Sequence, residues 1–140
     1  NMTLAYDSLS DDTRRRIAGL WVAFRPAFDP GSPGAVHPLV RTHPETGEKI
    51  LFVSGFTTHF TNFHTPANVR VGQDFTQGSS SLLQFLISQA AIPEYQVRWR
   101  WEPGSIAIWD NRATQHYAVM DYPPCHRKME RAGIVGDKTY

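Results

Sequence analysis

His116 follows the run Trp109-Asp110-Asn111-Arg112. An imidazole there can ligate a metal, act as a general base, or serve as an ordinary hydrogen-bonded residue. Arg127 and Arg131 follow it, spaced i and i+4. On an extended strand that spacing puts both side chains on one face. Two guanidinium forks beside an imidazole suit two anionic groups. Each fork grips a carboxylate or sulfonate through paired, charge-assisted hydrogen bonds. The plainer alternative is a solvated edge, in which Arg127, Lys128 and Arg131 meet water and Glu130 is their partner.

These residues need elements to hold them. Tyr95-Gln96-Val97-Arg98-Trp99-Arg100-Trp101 alternates strictly, which predicts a strand with one packed and one cationic face. Glu102-Pro103-Gly104 is a turn, and Ile106-Ala107-Ile108-Trp109 reads as a strand covered on both faces. Lys128 to Val135 is the expected last strand. Upstream, Thr42-His43-Pro44-Glu45-Thr46-Gly47 forms a tight turn before a buried strand over Lys49-Ile50-Leu51-Phe52-Val53. Ser10 caps a helix whose first turn carries Asp11 and Asp12. Ile17, Leu20, Trp21 and Phe24 continue its apolar stripe until Pro26. Residues 26–38 read as a loop, and 55–80 as an irregular excursion without a clean period. Leu82, Leu83, Leu86, Ile87 and Ala90 mark a second helix, stopped by Pro93. No repeat or linker divides the chain. The fold class expected is mainly β with flanking helices.

Composition narrows the function. The 140 residues carry 14 Lys+Arg against 13 Asp+Glu, a formal net charge of +1. A general nucleic-acid or membrane-surface binder would need a strong basic excess. The Arg98-Trp99-Arg100-Trp101 ribbon could stack bases, but alternation puts its tryptophans opposite its arginines, on a core face. The single cysteine, Cys125, excludes an intrachain disulfide. No apolar run reaches the roughly 18 residues of a membrane span, and no leader pattern opens the chain. The expectation is a soluble, cytoplasmic protein with neither nucleic acid nor membrane as partner.

The run Trp109-Asp110-Asn111-Arg112-Ala113-Thr114-Gln115-His116-Tyr117-Ala118, with Arg127 and Arg131 downstream, resembles the C-terminal signature of the taurine dioxygenase (TauD/TfdA) family. These are Fe(II)- and 2-oxoglutarate-dependent oxygenases. The likeness extends to His37-Pro38-Leu39-Val40-Arg41-Thr42-His43-Pro44-Glu45-Thr46-Gly47, to Phe56-Thr57-Thr58, to Gln96 through Gly104, and to Gly136-Asp137-Lys138. The resemblance implies a double-stranded β-helix, or jelly roll. Residues 1–140 would be the C-terminal part of a single oxygenase domain. It implies Fe(II) in a two-histidine, one-carboxylate triad open to 2-oxoglutarate and O2. His116 matches the distal histidine of that triad. Arg127 matches the arginine that holds the far carboxylate of 2-oxoglutarate. Arg131 matches the arginine that holds the anionic substrate. Phe56 matches an aromatic lining the substrate pocket, and Trp109 a tryptophan near the metal on the substrate side. The implied reaction hydroxylates a small anion (a taurine-like sulfonate, a sulfate ester or a carboxylate) and releases succinate and CO2. Family members also self-associate, which makes a homo-oligomer an expectation.

Some residues depart from the family pattern. The first two iron ligands form a His-x-Asp or His-x-Glu pair, expected upstream of everything matched here. His43-Pro44-Glu45 has that spacing formally, but its proline and its place in a turn argue against ligation. His59 and His64 are expected to pack or face solvent, His37 to be structural, and His126 to point away from Arg127. The segment from His59 to Ser80 is longer than its counterpart in a taurine oxidiser, which implies a changed substrate. The alternative to an enzyme is a truncated jelly-roll module that binds a small anion without metal, since His116 alone cannot hold Fe(II) selectively.

Overall fold

The computed structural model describes residues 1–26, 31–64 and 76–136. In chain order these form α1 (Met2–Asp7), α2 (Asp11–Ile17), β1 (Trp21–Phe24), β2 (Ala35–Pro38), β3 (Val40–Thr42), β4 (Lys49–Leu51), β5 (Thr57–Phe60) and α3 (Gln77–Ser88). Two short 3-10 turns, Gln89–Ala91 and Pro93–Tyr95, follow α3.

The strands make two antiparallel sheets, β2-β1-β5 and β3-β4. Leu39 joins them, since its N–H donates to the Leu20 carbonyl at 2.8 Å and its carbonyl accepts from Phe52 N–H at 2.7 Å. Its side chain is fully buried between the sheets. Around it lie Val22, Ile50, Leu51, Val53 and Phe60 from the strands. Met2, Ala5 and Leu9 from the N-terminal helix and its exit close one side, and Leu83 and Leu86 of α3 another. Burying each large apolar side chain contributes about 2 kcal/mol, so this cluster carries most of the fold's stability.

Helix ends follow the sequence closely. Ser10 caps α2 through Thr13 N–H at 3.2 Å, and Thr76 caps α3 through Ser79 N–H at 3.4 Å. The expected second helix is thus present. Lys49–Leu51 is a strand with Ile50 and Leu51 buried, as its apolar run predicts. The Thr42–Gly47 turn closes with Gly47 at φ +75°.

Other expectations are corrected. The helix from Ser10 stops at Ile17, because Gly19 takes φ +77° and turns the chain. Trp21 to Phe24 is the central strand of the larger sheet, and its apparent helical spacing was a coincidence of two elements. Asn62 fixes the corner: its Oδ1 accepts from Trp21 N–H at 2.8 Å and its Nδ2 donates to the Gly19 carbonyl at 2.9 Å. Within 26–38, Ala35–Pro38 is a strand rather than loop; residues 27–30 lie outside the described residues. Within 55–80, Thr57–Phe60 is a strand, and residues 65–75 lie outside the described residues.

The largest correction concerns residues 96–136, which contain no strand. Val97, Ile106, Ile108, Ile134 and Val135 are all at least 84% exposed. The three strands expected over Tyr95–Trp101, Ile106–Trp109 and Lys128–Val135 do not form among the described residues. Alternation only qualifies a segment to be a strand; a neighbouring strand must pair its N–H and C=O groups, and no strand among the described residues does so here.

Gly34 and Gly47 offer a paired test of this fold. Both have positive φ, but a Cβ at Gly34 would stand 2.6 Å from the Phe24 carbonyl oxygen, while Gly47 faces open space. Gly47→Ala should cost about 1 kcal/mol from backbone strain alone. Gly34→Ala should cost distinctly more, because β1 and β2 must separate. Urea unfolding of the two variants measures the difference.

Candidate metal and anion site

His116 is exposed, and its ring lies against the Trp109 indole with centroids 5.0 Å apart. These two expected site residues are brought together. Arg127, Arg131 and Phe56 are not gathered to them. Arg127 places its guanidinium over the Tyr122 ring at 5.5 Å. Arg131 is exposed and makes no ion pair among the described residues. Lys128 instead takes Glu130 at 3.2 Å. With no strand here, the shared face expected for Arg127 and Arg131 is absent. Phe56 is half-exposed on the loop into β5.

The turn between Trp109 and His116 is tightly built. Asp110 Oδ1 accepts from Arg112 N–H at 2.8 Å, and Thr114 Oγ1 donates to the Asp110 carbonyl at 2.6 Å. The Arg112 side chain folds back on the same carboxylate, with Nη2 at 2.6 Å and Nε at 3.0 Å from Oδ2. Arg112 Nη2 also reaches Glu45 Oε1 at 3.0 Å. His43, from the Thr42–Gly47 turn, completes the group. Its Nδ1 accepts from Glu45 and Thr46 N–H, both at 3.2 Å. The proton therefore sits on Nε2, which donates to Asp110 Oδ2 at 2.9 Å. Further along, Gln115 Nε2 donates to the Val53 carbonyl, and the Ala113 carbonyl accepts from Met2 N–H at 2.9 Å.

Charge follows this geometry. Hydrogen bonds from Arg112 and then His43 hold the Asp110 carboxyl well below the usual carboxylate range. The Asp110 carboxylate, and after it Glu45, raises Arg112 further above its ordinary value. The His43-Pro44-Glu45 sequence is thus committed to Asp110 and Arg112.

Sequence reasoning missed Asp110, Arg112, His43 and Arg41. The Asp-x-Arg spacing was the available signal for the first two. Arg41 is buried at 7% exposure, lies 4.2 Å over the Phe52 ring, and has no hydrogen-bond partner for Nη2 among the described residues. Beside it His37 packs edge-on to Phe24 and Phe52 at 5.6 and 5.4 Å. Burial, aided by Arg41, pushes the His37 pKa down, so it is a neutral packing residue as expected. His59 meets Thr58 Oγ1 at 3.0 Å, His64 lies edge-on to Phe63 at 4.8 Å, and His126 is exposed.

Among the described residues no three His, Cys, Asp or Glu side chains converge as a metal centre requires. An exposed imidazole beside an indole fits one corner of an iron triad, and the described residues do not complete it. No helix among the described residues is long and apolar enough to cross a membrane.

An antiparallel β framework carrying this motif matches the 2-oxoglutarate-dependent oxygenases. Residues 1–132 match the family described as taurine catabolism dioxygenase TauD, TfdA family. The chain is 40% identical to an alkylsulfatase of Acinetobacter baylyi over 74% of its own length and 29% of that protein. It is 31% identical to an alpha-ketoglutarate-dependent sulfate ester dioxygenase of Pseudomonas putida, over 98% of its own length and 49% of that protein. A crystal structure of a taurine dioxygenase from Burkholderia xenovorans superposes with a TM-score of 0.66 at 41% identity, covering 81% of this chain and 36% of that one. The chain belongs to the TauD, TfdA dioxygenase family. It spans less than half the length of these relatives.

The Asp110 tie predicts a pH dependence. Its folded pKa is depressed, so its stabilisation is fully present above the ordinary carboxylate value of 3.8 and is lost as pH falls below it. The thermal midpoint of the wild type should therefore fall more steeply below about pH 4 than that of Asp110→Asn. Parallel profiles from calorimetry would contradict the tie.

Proposed function

We propose that this chain forms the C-terminal part of a Fe(II)- and 2-oxoglutarate-dependent dioxygenase domain. Its substrate is a small organic anion, with sulfate esters and sulfonates ahead of carboxylates, and its products include succinate and CO2. The family match over residues 1–132 carries this reading. Two of the relatives are named an alkylsulfatase and a sulfate ester dioxygenase, which supports an anionic substrate.

In this reading His116 supplies one imidazole ligand, and the other two come from residues outside this chain. Bound iron would supply the activation of O2 with 2-oxoglutarate. Arg127 clasps the far carboxylate of 2-oxoglutarate, because its planar fork matches a carboxylate bidentately. Arg131 holds the substrate anion in the same way. Phe56 and Trp109 provide apolar walls that exclude water around the reacting carbon. For the two arginines to meet their anions, residues 127–131 must be drawn into a strand and paired, which would restore the shared face. The protein works in the cytoplasm, and a homo-oligomer is the expected assembly.

Succinate formation by the protein at its natural length tests the proposal. It should need iron, 2-oxoglutarate and an alkyl sulfate or sulfonate. His116→Ala should abolish turnover. Arg127→Ala should raise the KM for 2-oxoglutarate at least tenfold, since a carboxylate loses a bidentate, charge-assisted partner worth roughly 1.5–3 kcal/mol. Arg131→Ala should raise the substrate KM instead; an effect confined to 2-oxoglutarate would exchange the two roles.

A further inference from the structure

Trp109 and His116 are separated by a turn, and nothing in their own contact keeps it in place. The indole is 40% exposed, and the imidazole is exposed. What secures the turn is the group at its start. Asp110 is held by His43 at 2.9 Å and by Arg112 at 2.6 Å, and Arg112 reaches on to Glu45 at 3.0 Å. His43 is itself buried, at 7% exposure, and oriented by two backbone N–H groups. A buried, oriented imidazole is a rigid post. The carboxylate therefore cannot move without breaking charge-assisted bonds to two partners at once.

We infer that His43, Asp110 and Arg112, with Glu45 as an outer arm, are positioning residues that fix the imidazole of His116 against Trp109. None of the four touches the His116 ring. They act through the turn: Asp110 adjoins Trp109, and Thr114, one residue past the turn, is tied to the Asp110 carbonyl at 2.6 Å. Gln115 is then held at the Val53 carbonyl, which leaves His116 as the first residue beyond the anchored stretch. Residues that orient a ligand are worth 10–100-fold in metal affinity. The metal part of this inference rests on reading His116 as a ligand, and the ring placement does not.

The test uses the metal-free protein at its natural length and neutral pH, read by NMR of the histidine ring protons. In the wild type the Trp109 ring current displaces the His116 signals. Asp110→Ala and Arg112→Ala should remove that displacement. His37, lodged between Phe24 and Phe52, should keep its wild-type signals and so report an intact fold. Where Asp110→Ala also disturbs His37, the milder Asp110→Asn replaces it and is judged by the same signals. Co(II) then serves as the metal probe: its dissociation constant should rise 10–100-fold in the Asp110 and Arg112 variants. It should stay at the wild-type value in Arg15→Ala, which removes an exposed charge on α2. Retention of the displacement in both variants overturns the inference, and its loss with unchanged Co(II) binding overturns the metal part. Wild-type Co(II) affinity in His116→Ala overturns the ligand reading instead, while the ring signals still judge the clamp.

Discussion

One carboxylate, held between an imidazole and a guanidinium, ties the last part of this chain to its folded body. Asp110 stands 67 residues from His43 in sequence and 2.9 Å from it in space. Around that bond gather Arg112 with Glu45, Gln115 with the Val53 carbonyl, and Ala113 with α1. These contacts join two regions of different character. Residues up to Tyr95 form helices and paired strands over a buried core. Residues 96–136 form none, and most of their large apolar side chains are exposed. The Asp110 turn is where the second region is fastened to the first.

The fastening falls next to the residues to which the chemistry is assigned by the proposal. Trp109 and His116 bracket the turn, and their rings meet. Arg127 and Arg131 lie beyond it, where the chain has neither strand nor burial. The gradient is physical. Polar ties made within the chain hold the imidazole, whereas the arginines depend on strand pairing that the described residues do not supply.

What could be read from the sequence followed the range of the interactions. Local signals held: the Ser10 cap, the turn at Gly47, the buried run at Ile50 and Leu51, and the apolar stripe of α3. Motif signals held as well, since the Trp109–Ala118 signature led to the family before any geometry. Signals that depend on a distant partner did not. Gly19 breaks a stripe that looked continuous from Ile17 to Phe24, because a period cannot show where one element hands over to another. The alternation of Tyr95 to Trp101 has the right form for a strand and lacks a neighbour. The Asp110–His43 bond joins the legible turn at Gly47 to a run 67 residues away, and nothing local to either announces the other.

Taken together, a charged clamp holds the turn before His116 in a TauD, TfdA family member, and the role proposed for that imidazole is to ligate iron. Anomalous diffraction at the iron edge, from crystals of the natural-length protein grown with Fe(II) under anaerobic conditions, tests this most directly. The account predicts one iron peak in bonding contact with His116, with Asp110 still bound to His43 and Arg112. An iron peak bound elsewhere, with His116 free of it, would contradict the account.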